Sequence, residues 1–551
     1  MTENRPISTA FRTLVIIPAR GGSKGIPRKN LRALRGEPLI SYVIRTALAS
    51  RFRPDVYVSS EDDEILSIAE KLGATPHRRP RGLAEDETTL DAVVFEAFRE
   101  ITAGRLDAYD LVATIQPTSP LLRTASLDAA IEGLLASGDD TVISAIRDAH
   151  LTWTVNDGRF VPNYEERRNR QDLPPLFRET GGFLISRASV LTPDARIGDR
   201  VSLHLLTGGE AVDIDTLEDF NLCEWYLSRR HVLFVVSGYP EIGLGHVYNA
   251  ITIATDLVKH DLTFLVDRRS KLALEILSGH HYAVTRQESG DLVEEITHLA
   301  PDVVINDVLD TSEDYVRALK KLGIKVINFE DLGPGALYAD LVINAIYPER
   351  QIHPNHYFGH RYFCARTEFT LTAPKLVDGP VSRVLLTFGG TDLNNLTAKV
   401  LTAIHGYCQE HGISVDVVAG MGYQRFETLQ RFAGVGVERN VANISDFMRR
   451  ADIIFTSAGR TVFEIACIGT PAIVLAQNER ELTHLFASEE HGFVHLGLGR
   501  DVEEATILQA FRELVEESGM REHMSRLMLE HDIRSGKDRV LRLLDQVIGG
   551  E

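Results

Sequence analysis

A β-then-α rhythm that starts three times constrains this chain more than any other feature. Short apolar runs rich in valine and isoleucine, at residues 13–19, 55–60, 111–115 and 141–146, alternate with segments of helical spacing such as 38–49 and 62–72. Near-continuous apolar runs mark strands buried on both faces, and each parallel strand needs a helix to carry the chain back. The rhythm therefore predicts a mainly parallel sheet covered by helices. It begins afresh at 231–237, directly after an expected helix at 217–227, and continues through 262–266, 303–306 and 325–329. After a polar stretch near 372–379 it begins a third time at 383–388, then runs through 415–419, 453–456 and 472–476. The 551 residues exceed the roughly 100–200 of one domain. We expect an α/β chain with a Rossmann-like domain at 1–228 and a two-lobed domain at 229–551, its lobes 229–378 and 379–551 flanking a cleft.

Composition removes several classes of function. The formal charge of −19, from 78 acidic and 59 basic side chains, gives no general attraction to nucleic acid or to an anionic membrane. No apolar run reaches membrane-spanning length, and residues 1–12 lack the apolar core of a signal peptide. Four cysteines, none in a CxxC pair, argue against a zinc ribbon or a disulfide framework and suit a reducing cytoplasm. A phosphate-bearing substrate would need basic groups placed locally.

The first such placement is Ile17-Pro-Ala-Arg-Gly-Gly-Ser-Lys-Gly-Ile-Pro-Arg-Lys-Asn30, a glycine-rich turn leaving a strand. Glycines let backbone approach phosphate closely, Arg20, Lys24 and Lys29 can neutralise it, and Ser23 adds a hydroxyl. The spacing is not that of a Walker loop. Taken alone, it also fits an ordinary basic turn between strand and helix. Far along the chain, Asp213 and Asp215 alternate in an expected extended segment, which would put both carboxylates on one side. Two hard oxygen donors suit Mg²⁺ beside a triphosphate.

These segments, with Val58-Ser-Ser-Glu-Asp62, Arg79-Pro80, Gln116-Pro-Thr-Ser-Pro-Leu121 and Arg170-Gln-Asp-Leu-Pro174 followed by Phe177-Arg178, resemble the acylneuraminate (CMP-sialic acid) cytidylyltransferases in order. The resemblance implies attack by the anomeric hydroxyl of a nonulosonic acid on the α-phosphate of CTP, with release of pyrophosphate. It implies phosphate contacts and catalysis by Arg20, Ser23 and Lys24, and nucleoside contacts by Asn30, Arg79 and Thr89. Gln116, Arg170, Gln171 and Arg178 would hold the sugar acid, Asp213 and Asp215 the Mg²⁺. Arg170 and Arg178 could instead be surface charges. The family also suggests a homodimer formed through this half. Thr180 and Leu184 depart from the family's usual asparagine and tyrosine, which leaves the identity of the nonulosonate open.

The second constellation begins at Gly243-Leu-Gly-His246, where His246 opens a helix. The positive helix end would favour a neutral imidazole, suited to general base work. Gly389, Gly390 and Thr391 follow one later strand, Ser457 and Glu464 follow another, and Asn478 a third. Glycines at strand ends can cradle phosphate and a glutamate can grip ribose hydroxyls. Residues 230–548 are similar to the two-lobed glycosyltransferase-B superfamily, and within it to the UDP-sugar hydrolase of pseudaminic acid biosynthesis. That likeness implies that His246 activates water to displace UDP without a metal cofactor. Asn249 stands where the hydrolase has arginine, and no tyrosine follows Asn306-Asp307 before Tyr315. A glycosyltransferase, or a silent nucleotide-sugar-binding or dimerisation lobe, remain the alternatives.

Overall fold

The computed structural model describes residues 11–22, 25–85, 87–350 and 352–549. Ser23 and Lys24, both expected at the phosphate turn, lie outside them. The chain divides between Ser228 and Arg229 into two compact units. No described helix is long and apolar enough to cross a membrane.

The first unit holds β1 (Thr13–Pro18), β2 (Asp55–Ser60), β3 (Thr75–Arg78), β4 (Leu111–Thr114), β5 (Thr141–Arg147), β6 (Phe177–Arg187) and β7 (Val201–Leu205). They form one sheet in the order β7-β5-β6-β4-β1-β2-β3. β1 shows why its sequence is apolar from Leu14 to Ile17. Val15 and Ile17 pack with Ile40, Val43 and Ile44 of α1 (Leu39–Leu48), while Leu14 and Ile16 pack with Val94 and Phe98 of α3 (Leu90–Ile101). Each such side chain, fully buried, stabilises the fold by roughly 1.5–3 kcal/mol. Helix α2 (Asp63–Lys71) starts where Asp62 accepts from the amides of Glu64 and Ile65, an ordinary N-cap. Helices α4 (Thr124–Ser137) and α5 (Leu217–Ser228) complete the set used below.

All neighbouring strands in this sheet run parallel except β6, which is antiparallel to both β4 and β5. β6, like the edge strands β3 and β7, is not among the strands read from periodicity. Its first half is the polar, glycine-containing run Phe177-Arg-Glu-Thr-Gly-Gly182, and its register against β5 shifts between Glu179 and Leu184.

The second unit contains two sheets whose adjacent strands are all parallel. The first uses β8 (His231–Val236), β9 (Asp261–Val266), β10 (Val284–Arg286), β11 (Val303–Asp307), β12 (Lys325–Phe329), β13 (Leu341–Asn344) and β14 (His356–Phe358), ordered β10-β9-β8-β11-β12-β13-β14. The other uses β15 (Arg383–Thr387), β16 (Ser414–Ala419), β17 (Gly436–Arg439), β18 (Ile453–Thr456), β19 (Ala472–Ala476) and β20 (Phe493–Leu498), ordered β17-β16-β15-β18-β19-β20. Both orders reverse direction once, between β8 and β11 and between β15 and β18. Such switch points open a crevice at the carboxyl ends of the strands.

The expected second lobe, 379–551, is not contiguous in space. The last helix, α10 (Gly536–Gly549), returns to the first lobe, where Val540, Leu544 and Ile548 join Val232, Phe234 and Leu341 in one apolar cluster. Lys325 Nζ on β12 also donates to the carbonyl of Val547, 2.6 Å away. The amphipathic pattern of α10 shows only that one face is apolar, not which lobe it covers.

Candidate functional site

In the first unit the chemistry gathers at the carboxyl ends of β1, β2 and β4. The turn after β1 is held by side chains from elsewhere. Glu61 Oε1 accepts from the Gly21 amide at 2.7 Å, and Arg79, itself buried, donates to Glu61 Oε2 at 2.9 Å. Asn30, also buried, donates to the carbonyl of Arg20 at 2.9 Å. Arg79, through Glu61, and Asn30 thus shape the turn after β1. Gly21 is required there by a close approach, because a Cβ would sit 2.5 Å from Asp62 Oδ2.

The aspartate pair adjoins the far end of the same turn. Lys29 Nζ donates to the carbonyl of Ile214 at 2.5 Å and lies 3.5 Å from Asp215 Oδ1. A Cβ on Gly25 would meet the carbonyl of Asp215 at 2.8 Å. The Ile214 amide in turn donates to the carbonyl of Thr118, at 2.8 Å, in the loop after β4. Asp213 lies against Gly181 of β6, and the Gln116 amide donates to the Gly181 carbonyl at 3.3 Å. The segment is a loop rather than a strand: Asp219 Oδ2 accepts from the amides of Asp215 and Thr216 and turns the chain into α5.

Unsatisfied polar atoms mark this convergence. Among the described residues of the first unit, four buried side-chain atoms lack a hydrogen-bond partner: Arg79 Nε, Thr118 Oγ1, Ser119 Oγ and Asp213 Oδ1. Buried polar atoms are normally paired, and the Thr118–Ile214 hydrogen bond brings the loop of Thr118 and Ser119 to the Asp213 segment, so the unpaired atoms of these three residues call for a missing partner. Asp213 offers a buried, uncommitted carboxylate oxygen and Asp215 a carboxylate 78% exposed, a donor set that fits a hard divalent cation.

The other expected contacts are spread more widely. Thr89 is exposed, and its hydroxyl caps α3 by accepting from Ala92. Arg170 and Gln171 lie exposed in a single helical turn. Arg178 Nε donates to Asp148 Oδ2 at 2.7 Å, and this guanidinium holds the Asp148 carboxyl below its ordinary range. Thr180 donates to Ser144 Oγ at 2.8 Å, within the sheet.

In the second unit one cleft of about 650 Å³ lies where the two switch points meet, and His246, Gly389, Gly390, Thr391, Ser457, Glu464 and Asn478 all line it. That volume suits a ligand of nucleotide-sugar size. Gly389 takes a φ of +77°, and a Cβ on Gly390 would press on Leu244 at 3.0 Å, so this turn and the one carrying His246 are in near contact. Glu464 is committed in part: its Oε1 accepts from Arg366 at 2.8 Å. Asn478 Oδ1 accepts from the Glu481 amide at 3.1 Å.

Several residues here escaped the sequence. His246 Nδ1 lies 2.7 Å from Asp307 Oδ1 at the end of β11, across the switch point from its own helix α6 (Gly245–Ala254). Asp307 is buried, and its other oxygen accepts from Asn249 at 2.6 Å. Arg460, from the second lobe, donates to Asn249 Oδ1 at 2.7 Å. An ionised Asp307 favours the tautomer with hydrogen on Nδ1, leaving Nε2 as a proton acceptor. Orientation by Asp307, which the helix-end argument omitted, is therefore the stronger device.

Glu330, also in the cleft wall, is buried at a φ of +52°. No hydrogen bond reaches its Oε1, and the nearest cation is Arg460 at 3.5 Å. Burial pushes this carboxyl up to about 8, with Asp307 adding to the shift and Arg460 opposing it. The folded chain therefore keeps a proton between the ordinary value near 4.5 and about 8, where the unfolded chain loses it. The contribution of Glu330 to stability therefore falls as pH rises through that window, by up to roughly 1.4 kcal/mol per pH unit. In thermal melts, Glu330→Gln should match the parent near pH 4.5 and gain on it steadily towards pH 8; a constant gap would refute this assignment.

A family model described as Cytidylyltransferase matches residues 14–189. The pseudaminic acid cytidylyltransferase of Campylobacter jejuni serotype O:2 is 33% identical over 229 residues, covering 40% of this chain and 98% of that protein. N-acylneuraminate cytidylyltransferase B of Danio rerio is 32% identical, over 41% of this chain and 53% of that protein. An uncharacterized protein of Methanocaldococcus jannaschii is 28% identical over 49% of this chain, which spans 64% of that protein's length. Among solved structures, Acinetobacter baumannii MurG aligns with 57% of this chain and 99% of its own at 16% identity and a TM-score of 0.42.

Proposed function

We propose that this chain, which belongs to the cytidylyltransferase family through its N-terminal unit, transfers CMP from CTP to a nonulosonic acid of the sialic or pseudaminic type, and that its C-terminal unit hydrolyses a UDP-sugar. The observation that carries the first half is the buried, partnerless Asp213 Oδ1, set against Gly181 of β6 and two residues before Asp215, whose backbone meets Gly25 in the turn that leaves β1. For the second half it is the His246–Asp307 pair in a cleft lined by both lobes.

In the first reaction, the backbone of the Gly21 turn and Arg20 bind the triphosphate, while Asn30, Glu61 and Arg79 keep that turn in place. Asp213 and Asp215 would hold Mg²⁺, which when bound supplies neutralisation of phosphate charge. The anomeric hydroxyl oxygen forms its bond to the α-phosphorus and gives up its proton to solvent as the bond to the bridging oxygen breaks, and pyrophosphate leaves with the electron pair. Catalysis comes mainly from positioning and charge stabilisation. In the second reaction, His246 Nε2 takes a proton from water as the water oxygen bonds the sugar's anomeric carbon. UDP departs with the electrons of the broken bond, and Asp307 steadies the imidazolium.

A homodimer through the first unit is supported by the hairpin Trp153–Asn156 and Arg159–Pro162, whose Trp153, Val155 and Phe160 are exposed. Apolar side chains grouped this way mark an interaction surface.

The full chain should release pyrophosphate from CTP with Mg²⁺ and at least one member of a nonulosonate panel. It should release UDP from a UDP-diacetamido-sugar with no acceptor present. Silence across the nonulosonate panel would reject the first activity, and UDP release only with an acceptor glycan would replace hydrolysis by transfer.

A further inference from the structure

Away from the cleft, three histidines from distant parts of the second unit meet: His360 follows β14, His491 precedes β20, and His531 ends α9 (Ser518–Glu530). One ring nitrogen from each can be chosen so that all three lie within 4.8 Å of one another. Ring centroids are 4.8 Å apart for His360–His531 and His491–His531, and 5.9 Å for His360–His491. We propose that these imidazoles form a binding site for a divalent metal ion of the zinc class, tying the end of the first lobe's sheet to the second lobe.

The chemistry selects the ion. Three imidazoles without a carboxylate suit zinc, nickel, copper or iron rather than magnesium or calcium. With bonds of about 2.0–2.1 Å to a tetrahedral zinc, ligand nitrogens stand about 3.3 Å apart, so modest ring rotations close the present gap. Ser488 Oγ lies 3.0 Å from His491 Nδ1, which occupies that nitrogen and directs Nε2 to the ion, as partners of metal-bound histidines do. The His360 and His531 imidazoles make no hydrogen bond among the described residues, although both are half-buried beside Phe486. Burial holds all three histidines below their ordinary range, and repulsion from neighbouring imidazoles adds to this at His491 and at His360, which stands at about 4.

Apolar side chains would fill such a nest at lower cost than three rings with unsatisfied nitrogens. The position also has a use. The segment carrying Phe486 and His491 continues from His484 in the cleft wall, so an ion here would brace that wall from behind.

The test uses the full chain, stripped by a chelator and kept in excess Mg²⁺ to occupy the carboxylate pair. Titration with Co²⁺ should show one equivalent with the intense visible absorption of four-coordinate cobalt, displaced by Zn²⁺. In His360→Gln/His531→Gln the affinity should fall at least 100-fold. Absence of binding by the parent at micromolar Co²⁺, or full retention in the double variant, would overturn the proposal. Should that variant fold poorly, anomalous scattering from zinc-soaked crystals of the parent decides: a peak among the three rings supports the site, and a peak only at His246–Asp307, or none, rejects it.

Discussion

Asp213→Ala should cut pyrophosphate release from CTP on the order of 10³-fold while leaving UDP release and the melting temperature close to those of the parent. A bound metal contributes several kcal/mol of charge stabilisation, and each 1.36 kcal/mol is a decade in rate. Asp213 is the residue to test because its Oδ1 is buried without a partner among the described residues, whereas Asp215 is largely exposed and shares its charge with Lys29. A merely structural aspartate would behave differently, since losing it would lower stability in step with activity. Removal of an unpaired buried carboxylate oxygen should instead be neutral or stabilising. Excess Mg²⁺ should restore part of the rate in Asp213→Asn or Asp215→Ala but little in Asp213→Ala. Near-parental pyrophosphate release in Asp213→Ala, measured at saturating CTP, would remove the carboxylate pair from the mechanism.

His246→Ala should lower UDP release by about 10²–10⁴-fold, the span that positioned proton transfer supplies. Asp307→Asn should approach the same loss, because an amide offers its NH₂ as readily as its oxygen and no longer selects the tautomer with Nε2 free. The two together should lose little more than either alone, since residues acting as one unit are far from additive. Substrate affinity should change less than turnover in both, because neither residue is assigned to the nucleotide. Pyrophosphate release at the other unit serves as the internal control for folding. If Asp307→Asn keeps parental turnover, His246 is oriented by something else.

The alternation of strands and helices was legible because strands buried on both faces are apolar throughout and helices carry a single apolar stripe. The glycine turns after β1 and β15 stood out as short runs of distinctive residue types, whereas the Asp213–Asp215 segment, expected to be extended, is a loop turned by Asp219. β6 was not legible, because its polar, glycine-broken first half shows neither period. Thr89, read as a nucleoside contact, also has a local role that its position in the sequence did not announce, as the cap of α3.

What the linear order settled by itself was therefore local: element type, the turns that could meet phosphate, and the residues able to carry charge or a metal. Only the folded chain decided which of them meet. Asp307 reaches His246 across 61 residues, and Arg460 reaches Asn249 across 211. Both contacts depend on where each sheet reverses its strand order and on how the two lobes face each other. α10 shows the same limit, its apolar face fitting either lobe by pattern but packing on the first. Periodicity is set by neighbours a few residues away, whereas a site is set by which strand lies beside which, and that follows from the packing of the whole unit.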